Sequence, residues 1–309
     1  MPKVYKIVEK RNLWFTISVL FILTGLIFMG FRAINQKPVL NFGIDFTGGT
    51  SITLKIEELN KNLLERKEKG LTVEQVNINF IEDLRRVLGG IGLEKSYIQV
   101  THEKDVLIKT IELEDSKRTE LLALVENKFG SFELLEADIV GPTIGAELRK
   151  TSLWIIFIVT IMLMLYITWR FEFVFGVAAL SALLHDALVI ISFAAIFGVE
   201  VNTPFVAALL AILGYSINDT IVVFDRVRDN LFSVKTKQTI DEIINMSLTQ
   251  TMRRTIHTSL TTLIVVGCLF LFGGATIKSF TLVLLVGVFS GTYSSVFIAS
   301  PILSLFNRK

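Results

Sequence analysis

Charged residues are scarce in this sequence. They make up 19% of the 309 residues, against about 25% in an ordinary soluble protein. The scarcity is also uneven, because 37 of the 60 charged residues (31 basic and 29 acidic) lie between Arg32 and Lys150. The two flanking stretches are therefore very apolar, which favours membrane segments on either side of a more polar region.

Cysteine and recognisable catalytic motifs are lacking as well. Cys268 is the only cysteine, so it has no partner for an internal disulfide. Cysteine usage therefore does not indicate whether the protein's compartment is oxidising or reducing. The net charge of +2 gives no reason to expect a nucleic-acid partner. We find no metal-ligand spacing and no nucleophile–base motif, and the glycine-rich stretch at 43–50 lacks the GK[ST] ending of a phosphate loop. We therefore expect no enzyme, no metal and no cofactor.

Six apolar runs are long enough to cross a membrane. A hydrocarbon core about 30 Å thick needs roughly 20 apolar residues in helical form, and a helix satisfies its own backbone groups in lipid. The runs cover residues 13–31, 153–169, 173–199, 203–224, 255–277 and 279–300. No small-residue cleavage site follows the first run, so we expect a retained anchor rather than a signal peptide.

Lysines and arginines in short loops predict the orientation of the spans. With six spans they fall on one side, whereas the opposite short loops hold only Lys278. We therefore expect a cytoplasmic N-terminus (1–12), a first transmembrane helix (13–33), an outer domain (34–150) and five more helices in 151–309, with a cytoplasmic segment at about 225–254 and a cytoplasmic C-terminus. The basic residues are Lys3, Lys6, Lys10, Arg11, Arg170, Arg226, Arg228, Lys235, Lys237, Arg253, Arg254, Arg308 and Lys309.

The outer segment has the pattern of a soluble α+β domain. Alternating apolar residues predict strands at 50–56, 96–100, 106–113 and 132–140, with His102 to Asp105 near the turn of the middle pair. Helical spacing predicts helices at 73–88 and 121–129, and Gly130 ends the second. This β-α-β-β-α-β order is the ferredoxin-like split unit. We interpret 61–70 as a charged connection, either a loop or a helix end.

The stretch between the fourth and fifth runs carries one further helical pattern. Ile240, Ile243, Ile244 and Leu248 recur at helical spacing beside acidic residues. This pattern suits a short helix on the membrane surface. It suits equally a helix packed against a partner.

Asp186 is the first candidate for a functional group inside the membrane. It lies near the middle of the third run, about 20 Å from the cytoplasmic end at 1.5 Å per residue, so its carboxylate does not snorkel to water. Ionisable groups at such depth are costly and often functional. Its neighbour His185 can titrate near neutral pH. The alternative is a structural carboxyl that hydrogen-bonds to this histidine.

Asp219 is the second candidate, in the fourth run. Tyr215 and Ser216 precede it by four and three residues and share its helix face, and Asn218 is adjacent. We expect Asp219 about 7 Å inside the cytoplasmic end if the helix stops near residue 224. A purely structural hydrogen-bond cluster is the alternative to a functional one.

A hydroxyl-rich stretch opens the fifth run. His257, Thr258, Ser259, Thr261 and Thr262 follow Arg254 and form a polar face that needs partners inside a bundle. By itself, Arg254 is an ordinary positive anchor at the membrane edge.

Small residues predict close helix packing. Gly287 and Gly291 form a GxxxG motif beside Ser290 and Ser294, and Ala207 and Ala211 have the same spacing. The spacing leaves open whether the neighbouring helix belongs to this chain.

Five segments carry a resemblance to a known family. They are GIDFTGGT at 43–50, VGPTIG at 140–145, His185-Asp186, GYSINDTIVVFDRVR at 214–228 and RTIHTS at 254–259. In this order they resemble SecF proteins of the SecD/SecF family, within the RND superfamily, although His257 stands where a small polar residue is expected. The family signature includes Gly43, Asp45, Gly48 and Gly49.

The resemblance implies more than composition does. It implies a polytopic α-helical protein of the cytoplasmic (inner) membrane, in contact with the lipid bilayer. Such a protein is built like half of an RND transporter and carries an extracytoplasmic ferredoxin-like domain. It implies pairing with SecD, association with the SecYEG channel and use of the proton-motive force late in preprotein export. Asp219 and Arg254 fall on the family's proton-path pair, and Asp186 and His185 fall on another family motif.

Two other functions stay open at this point. An RND-type small-molecule exporter shares the same membrane chemistry, but six spans and one outer domain correspond to only half of such a transporter. A non-energetic scaffold would use the polar residues for assembly alone. Replacing Asp219 and Asp186 distinguishes the scaffold hypothesis from the other two. For a scaffold, formation of the complex itself would fail, rather than coupling alone.

Overall fold

The computed structural model describes residues 4–65, 70, 72–101, 104–233 and 238–306, apart from the side chains of residues 275 and 276. The chain forms two compact units, Phe42–Thr151 and the combined stretches Met1–Asn41 and Ser152–Lys309, which we call the outer domain and the membrane unit. Some predicted features lie outside the described residues, namely 66–69 of the charged connection, His102 and Glu103 of the turn, and Lys3, Lys235, Lys237, Arg308 and Lys309 of the charge pattern.

The predicted helices and strands follow one another along the chain in the predicted order, with short unpredicted elements among them. The first are α1 (Arg11–Ile34), β1 (Asn41–Phe42), α2 (Ile44–Thr47), β2 (Gly49–Ile56), α3 (Glu57–Glu65), α4 (Val73–Gly89), β3 (Tyr97–Val100), β4 (Val106–Thr110), α5 (Asp115–Phe129) and β5 (Phe132–Val140). The others are α6 (Pro142–Arg170), α7 (Phe173–Phe197), β6 (Glu200–Val201), α8 (Thr203–Ser233), α9 (Ile240–Phe272), α10 (Ala275–Ser294), a π-helical turn (Ser295–Ala299) and α11 (Ser300–Phe306).

The membrane unit is built from long apolar helices. In the described part of the chain, six helical stretches are long and apolar enough to cross a membrane, which confirms the predicted polytopic fold. In the spans of α7, α8 and α10 about half of the residues are buried, whereas in those of α1, α6 and α9 fewer than a fifth are. The first three therefore form the inside of the unit, where polar side chains find partners other than lipid.

The region between the fourth and fifth spans differs from the prediction. Helix α8 continues to Ser233, and residues 240–248 are the first turns of α9 rather than a separate surface helix. Thr239 caps α9 in a reciprocal capping box with Glu242. The apolar face of these turns is buried in the core with Val223 and Val227 of α8. The sequence pattern was correct, but its apolar face meets a helix instead of lipid, and Arg254 consequently lies inside α9.

The chain's first described residues are tied to this part of α9. The side-chain oxygen of Asn245 accepts hydrogen bonds from the backbone amides of Ile7 and Val8, at 2.9 and 3.1 Å. Its amide nitrogen donates to Glu9, and the Tyr5 amide donates to Thr249. We call this group of contacts the N-terminal clamp. Asn245 is buried, so the clamp satisfies backbone groups that would otherwise be unpaired.

Close packing of α10 on α8 depends on two glycines. A Cβ added at Gly287 would overlap Ile212, and one at Gly291 would lie 2.9 Å from the Cβ of Ser216. The GxxxG spacing therefore brings α10 against a helix of this same chain. Ala207 and Ala211, the other predicted pair, are both exposed.

The outer domain has the predicted ferredoxin-like order. Its four-stranded sheet runs β3-β4-β2-β5 with antiparallel pairing throughout. One face of β2 contributes Ile52, Leu54 and Ile56 to a core that α4 and α5 close. The charged connection predicted at 61–70 begins inside α3, which agrees with the helix-end alternative. Nothing in the sequence indicated that Leu59 and Leu63 of this helix are buried in the same core. Two apolar residues four positions apart, surrounded by charged residues, are too few to predict a buried helix face.

The turn before β2 requires glycine for two different reasons. Gly48 and Gly49 have φ values of 73° and 135°, as expected for glycines that precede a strand. A Cβ on Gly49 would also collide with the carbonyl oxygen of Thr110, and one on Gly48 would approach the Pro142 backbone at 2.8 Å. The turn is thus fixed by conformation and by lack of space.

We expect Gly49→Ala to destabilise the protein by about 2–4 kcal/mol, because positive φ and a collision with backbone act together. Gly92→Ala is the matched control, since Gly92 has a φ of 75° but nothing within 4 Å of an added Cβ; it should cost about 1 kcal/mol. Thermal unfolding of both purified variants measures the difference. Equal melting temperatures for the two variants would contradict the proposed collision.

Candidate functional site

Asp186 is the centre of a buried polar cluster in the membrane unit. The residue is fully buried on α7. Its Oδ1 accepts hydrogen bonds from Ser290 at 2.6 Å and from Nδ1 of His185 at 3.1 Å. Its Oδ2 accepts from Ser216 at 2.6 Å and from Ser294 at 2.7 Å. Four donors from α7, α8 and α10 match the acceptor capacity of a carboxylate, so this side chain joins three helices.

His185 extends the cluster to the first helix. Its Nε2 lies 2.9 Å from the hydroxyl of Ser18 on α1, and its ring stacks on Tyr293 with centroids 5.8 Å apart. The Tyr293 hydroxyl donates to the backbone carbonyl of Trp14. Every polar atom of the His185 ring therefore has a protein partner, and α1 is attached to the cluster through side chains.

Asp219 lies in a different environment on α8. It is only 4% exposed, and it faces Ser259 and Arg254 of α9. Within the described residues, Oδ2 of Asp219 has no hydrogen-bond partner. A buried carboxylate oxygen without a partner is rare in folded proteins. Asp219 thus keeps one oxygen available for a proton or a water molecule, whereas both oxygens of Asp186 are occupied.

The residues around Asp219 come together only in part. Tyr215 donates to Ser259 at 3.3 Å, and Ser259 lies 2.6 Å from Thr292 of α10. Ser216, predicted beside Asp219, instead binds Asp186. Arg254 is exposed and does not hydrogen-bond Oδ2 of Asp219.

Two residues of the predicted supporting cluster lie elsewhere. Asn218 is on an exposed face of α8, and the exposed Thr258 donates its hydroxyl back to the carbonyl of Arg254. Adjacency in sequence was misleading for Asn218, because successive residues of a helix point about 100° apart. The structure therefore brings Tyr215, Asp219 and Ser259 together, and excludes these two from the contact.

The sequence did not assign several of the hydrogen-bonding partners to the site. Ser290 and Ser294 were interpreted as part of a packing motif, although their four-residue spacing places both on one face. Ser18, Tyr293 and Thr292 carried no signal in their apolar runs. Only the contacts between helices in the structure show that these side chains belong to the surroundings of the two carboxylates.

The two carboxylates differ in what their surroundings allow. Asp186 is held by four hydrogen bonds, which suits a fixed group that positions helices. Asp219 faces a hydroxyl and an arginine across one helix contact and has an open oxygen, which suits a group that gains and loses a proton. Among the described residues, no group of three or more His, Cys, Asp or Glu side chains is arranged to hold a metal ion.

Six apolar helices around buried carboxylates, together with a ferredoxin-like outer domain, define a multi-pass membrane protein with ionisable groups inside its helix bundle. The family described as protein export membrane protein SecD/SecF, C-terminal, matches residues 120–309, and the SecD/SecF GG motif matches residues 37–58. The chain belongs to the SecD/SecF family.

Similar proteins agree with this assignment over nearly the whole chain. Protein translocase subunit SecF of Sebaldella termitidis is 36% identical, over 98% of this chain and 92% of that protein. The protein of the same name from Desulfurispirillum indicum is 39% identical, over 93% of this chain and 87% of that protein.

A solved structure has a similar fold. The crystal structure of SecDF, a translocon-associated membrane protein from Thermus thermophilus, matches with a TM-score of 0.82 at 31% identity and covers 100% of this chain. A second structure of SecDF, in a super-membrane-facing form, matches with a TM-score of 0.65. This chain spans 39% of each of those SecDF chains, so what SecDF does as a whole enters below only as a proposal.

Proposed function

We propose that this chain is an accessory, non-enzymatic subunit of the Sec protein-export machinery, which couples the proton-motive force to late steps of preprotein translocation together with SecD. The similarity to proteins named SecF, which extends over nearly the whole chain, supports the place in export. The observation that carries the coupling is Asp219, a buried membrane carboxylate with one oxygen free of protein partners. Such groups are costly in a membrane and mark ion pathways.

Asp219 is the proton carrier in this proposal. It takes a proton from the outer side of the membrane and releases it to the cytoplasm. The Tyr215 hydroxyl lies one helical turn toward the outer end of α8 and donates to Ser259, which faces Asp219. The route from the outer side would therefore reach the carboxylate past this phenol.

Arg254 controls the charge of the carrier. A nearby arginine favours the ionised carboxylate, and its removal favours the protonated one. In this structure Arg254 faces Asp219 without binding Oδ2, an arrangement from which the carboxylate can accept a proton. Closing and opening of this pair would change the packing of α8 against α9, and the outer domain would move in response. Asp186 and His185, predicted on the same path, adjoin it through Ser216 of α8.

The proposal includes partners and a location. The partners are SecD, the SecYEG channel, the translocating preprotein and the lipid bilayer. The location is the cytoplasmic (inner) membrane, with both termini in the cytoplasm and residues 34–150 outside. The basic residues of the predicted cytoplasmic loops support this orientation, and the exposed apolar faces of α1, α6 and α9 supply surface for lipid or for another membrane subunit.

Export into membrane vesicles tests the proposal. Vesicles that contain this chain with SecD and SecYEG should translocate a preprotein faster when a proton gradient is present. Vesicles with SecYEG and SecD alone should lose most of that stimulation and keep the gradient-independent rate. An identical response to the gradient in both preparations would refute the coupling role.

A further inference from the structure

One face of α9 carries a buried row of hydroxyl groups, of which the proposed carrier contacts only Ser259. Ser247, Thr251, Thr255 and Ser259 follow one another at intervals of four residues. Their exposures are 0%, 8%, 1% and 4%. Buried hydroxyls in a membrane helix need partners, and we call this row the hydroxyl track.

Both ends of the hydroxyl track contact α8. Tyr215 of α8 donates to Ser259 at 3.3 Å, and Asn230 of α8 donates to Ser247 at 2.8 Å. Because the two helices are antiparallel, the track follows α8 from the level of Tyr215, past Asp219, to its far end. In the proposed orientation that far end is cytoplasmic.

Thr255 is the exception among the threonines of α9. Thr249, Thr251, Thr258, Thr261 and Thr262 each donate a hydrogen bond to a carbonyl three or four residues earlier. In the described part of the chain, the Oγ1 of Thr255 has no partner, and the same is true of Oδ2 of Asp219. Asp219 faces Ser259, one turn from Thr255 on the same side of α9. Two unpartnered buried oxygens thus belong to one helix contact.

We propose that Thr255 holds a bridging water against Asp219 and that the hydroxyl track is the proton's exit path to the cytoplasmic side. Buried polar atoms without a protein partner are the usual binding sites of internal water. This inference rests on the proposed function and identifies the part of the proton path that leads from Asp219 to the cytoplasm. Thr255 is a positioning residue, because it holds the water and does not itself titrate.

The spacing of the hydroxyl track suits single waters. Four residues of α-helix rise about 6 Å, which is close to the length of two O–H···O hydrogen bonds of about 2.8 Å each. One water therefore fits between successive hydroxyl oxygens. Thr251 donates its own hydrogen to the Ser247 carbonyl, at 3.0 Å, so its oxygen accepts from such a water. The hydroxyl turns away from that carbonyl to pass a proton on.

The proton balance of the exit step is simple. Protonated Asp219 gives its proton to the bridging water and becomes a carboxylate. The hydronium passes a proton to the Thr255 oxygen, and this hydroxyl gives its own proton to the next water. Each later hydroxyl does the same, so every water and every hydroxyl returns to neutral as it donates onward. The final proton leaves at the cluster formed by Ser247, Asn230, Gln250 and Arg226, where Asn230 and Arg226 both donate to the Gln250 side chain. Arg254, beside Thr255 in sequence, is the cation that faces the start of the path.

Thr255→Val tests the inference, since valine keeps the shape of threonine and removes its hydroxyl. In vesicles with the complete complex we expect gradient-dependent export to fall about tenfold, the effect of losing one hydrogen bond that orders the transferring water. Gradient-independent export and recovery of the complex with SecD should not change. Thr255→Ser restores the hydroxyl and should restore most of the rate. Thr24→Val on α1 is the matched control, because the exposed Thr24 returns its hydroxyl to the Leu20 carbonyl.

The outcomes separate this inference from the proposed function. If Asp219→Asn stops gradient-dependent export and Thr255→Val does not slow it, the carrier stands and the exit path is wrong. If Thr255→Ser is as slow as Thr255→Val, the effect is one of packing and the water site is refuted. If Asp219→Asn exports at the full rate, the carrier is wrong and the path fails with it.

Discussion

Asp219→Asn should abolish the stimulation of export by a proton gradient while leaving the gradient-independent rate in place. Asparagine has nearly the same shape as aspartate and can still hydrogen-bond Ser259, but it cannot take up or release a proton at physiological pH. The variant therefore removes the charge change without opening a cavity. Export into energised and uncoupled vesicles, measured side by side, gives the stimulation directly.

Two further variants at α8 sharpen this result. Asp219→Glu keeps a titratable carboxyl and should retain part of the stimulation, reduced because the extra methylene displaces the group. Asp225→Asn is the control, since Asp225 lies two turns along the same helix and pairs with Arg228 at 3.0 Å in a partly exposed position. It should behave like the wild type, because such ion pairs contribute little. Full stimulation in Asp219→Asn would rule out this carboxylate as the carrier.

Asp186→Ala should destabilise the membrane unit by about 2–4 kcal/mol. Interhelical hydrogen bonds in membrane proteins average about 0.6 kcal/mol with a maximum near 1.7. This change removes three of them, together with the bond from His185 on the same helix, and bonds to a carboxylate lie at the stronger end. It also leaves three serine hydroxyls and an imidazole without their acceptor. The variant should therefore show reduced stability and reduced yield, and both are measured independently of proton coupling.

Denaturant unfolding of the purified complex measures this loss. Asp186→Asn should cost less, about 1 kcal/mol, because its carbonyl still accepts and the serine hydroxyls can rotate to accept from its amide. Because Asp186 and Ser290 share a hydrogen bond, the double variant Asp186→Ala, Ser290→Ala should lose less stability than the sum of the two single variants. If Asp186→Ala unfolds at the wild-type denaturant concentration, the cluster does not hold the helices together.

The sequence predicted the elements better than their contacts. Hydropathy alone located the six spans, and period-two and helical patterns located the sheet and the helices of the outer domain. It failed where an apolar face has two possible partners. The face of residues 240–248 has the same pattern whether it lies on lipid or, as here, on α8.

The candidate site shows the same division. Asp186 and Asp219 were visible because a carboxylate in an apolar run is unusual. Their partners were not, because serine and threonine are common in membrane helices and carry no sign of what they face. Thr255 illustrates this, since its sequence neighbours are also hydroxyl residues, and only the missing hydrogen bond distinguishes it. Which hydroxyl serves which carboxylate is decided by helix rotation, which one sequence does not encode locally.

The N-terminal clamp has a consequence for how the molecule is made. The amide of Val8 is held by Asn245, 237 residues further along the chain. At a synthesis rate of about 5–20 residues per second, roughly 12 to 50 s pass before the ribosome has made the residue that receives it. The outer domain, by contrast, is one continuous stretch from Phe42 to Thr151 and contains all of its own core partners. The nascent chain can therefore complete this domain while the residues before its first helix still lack their contact with the fifth span.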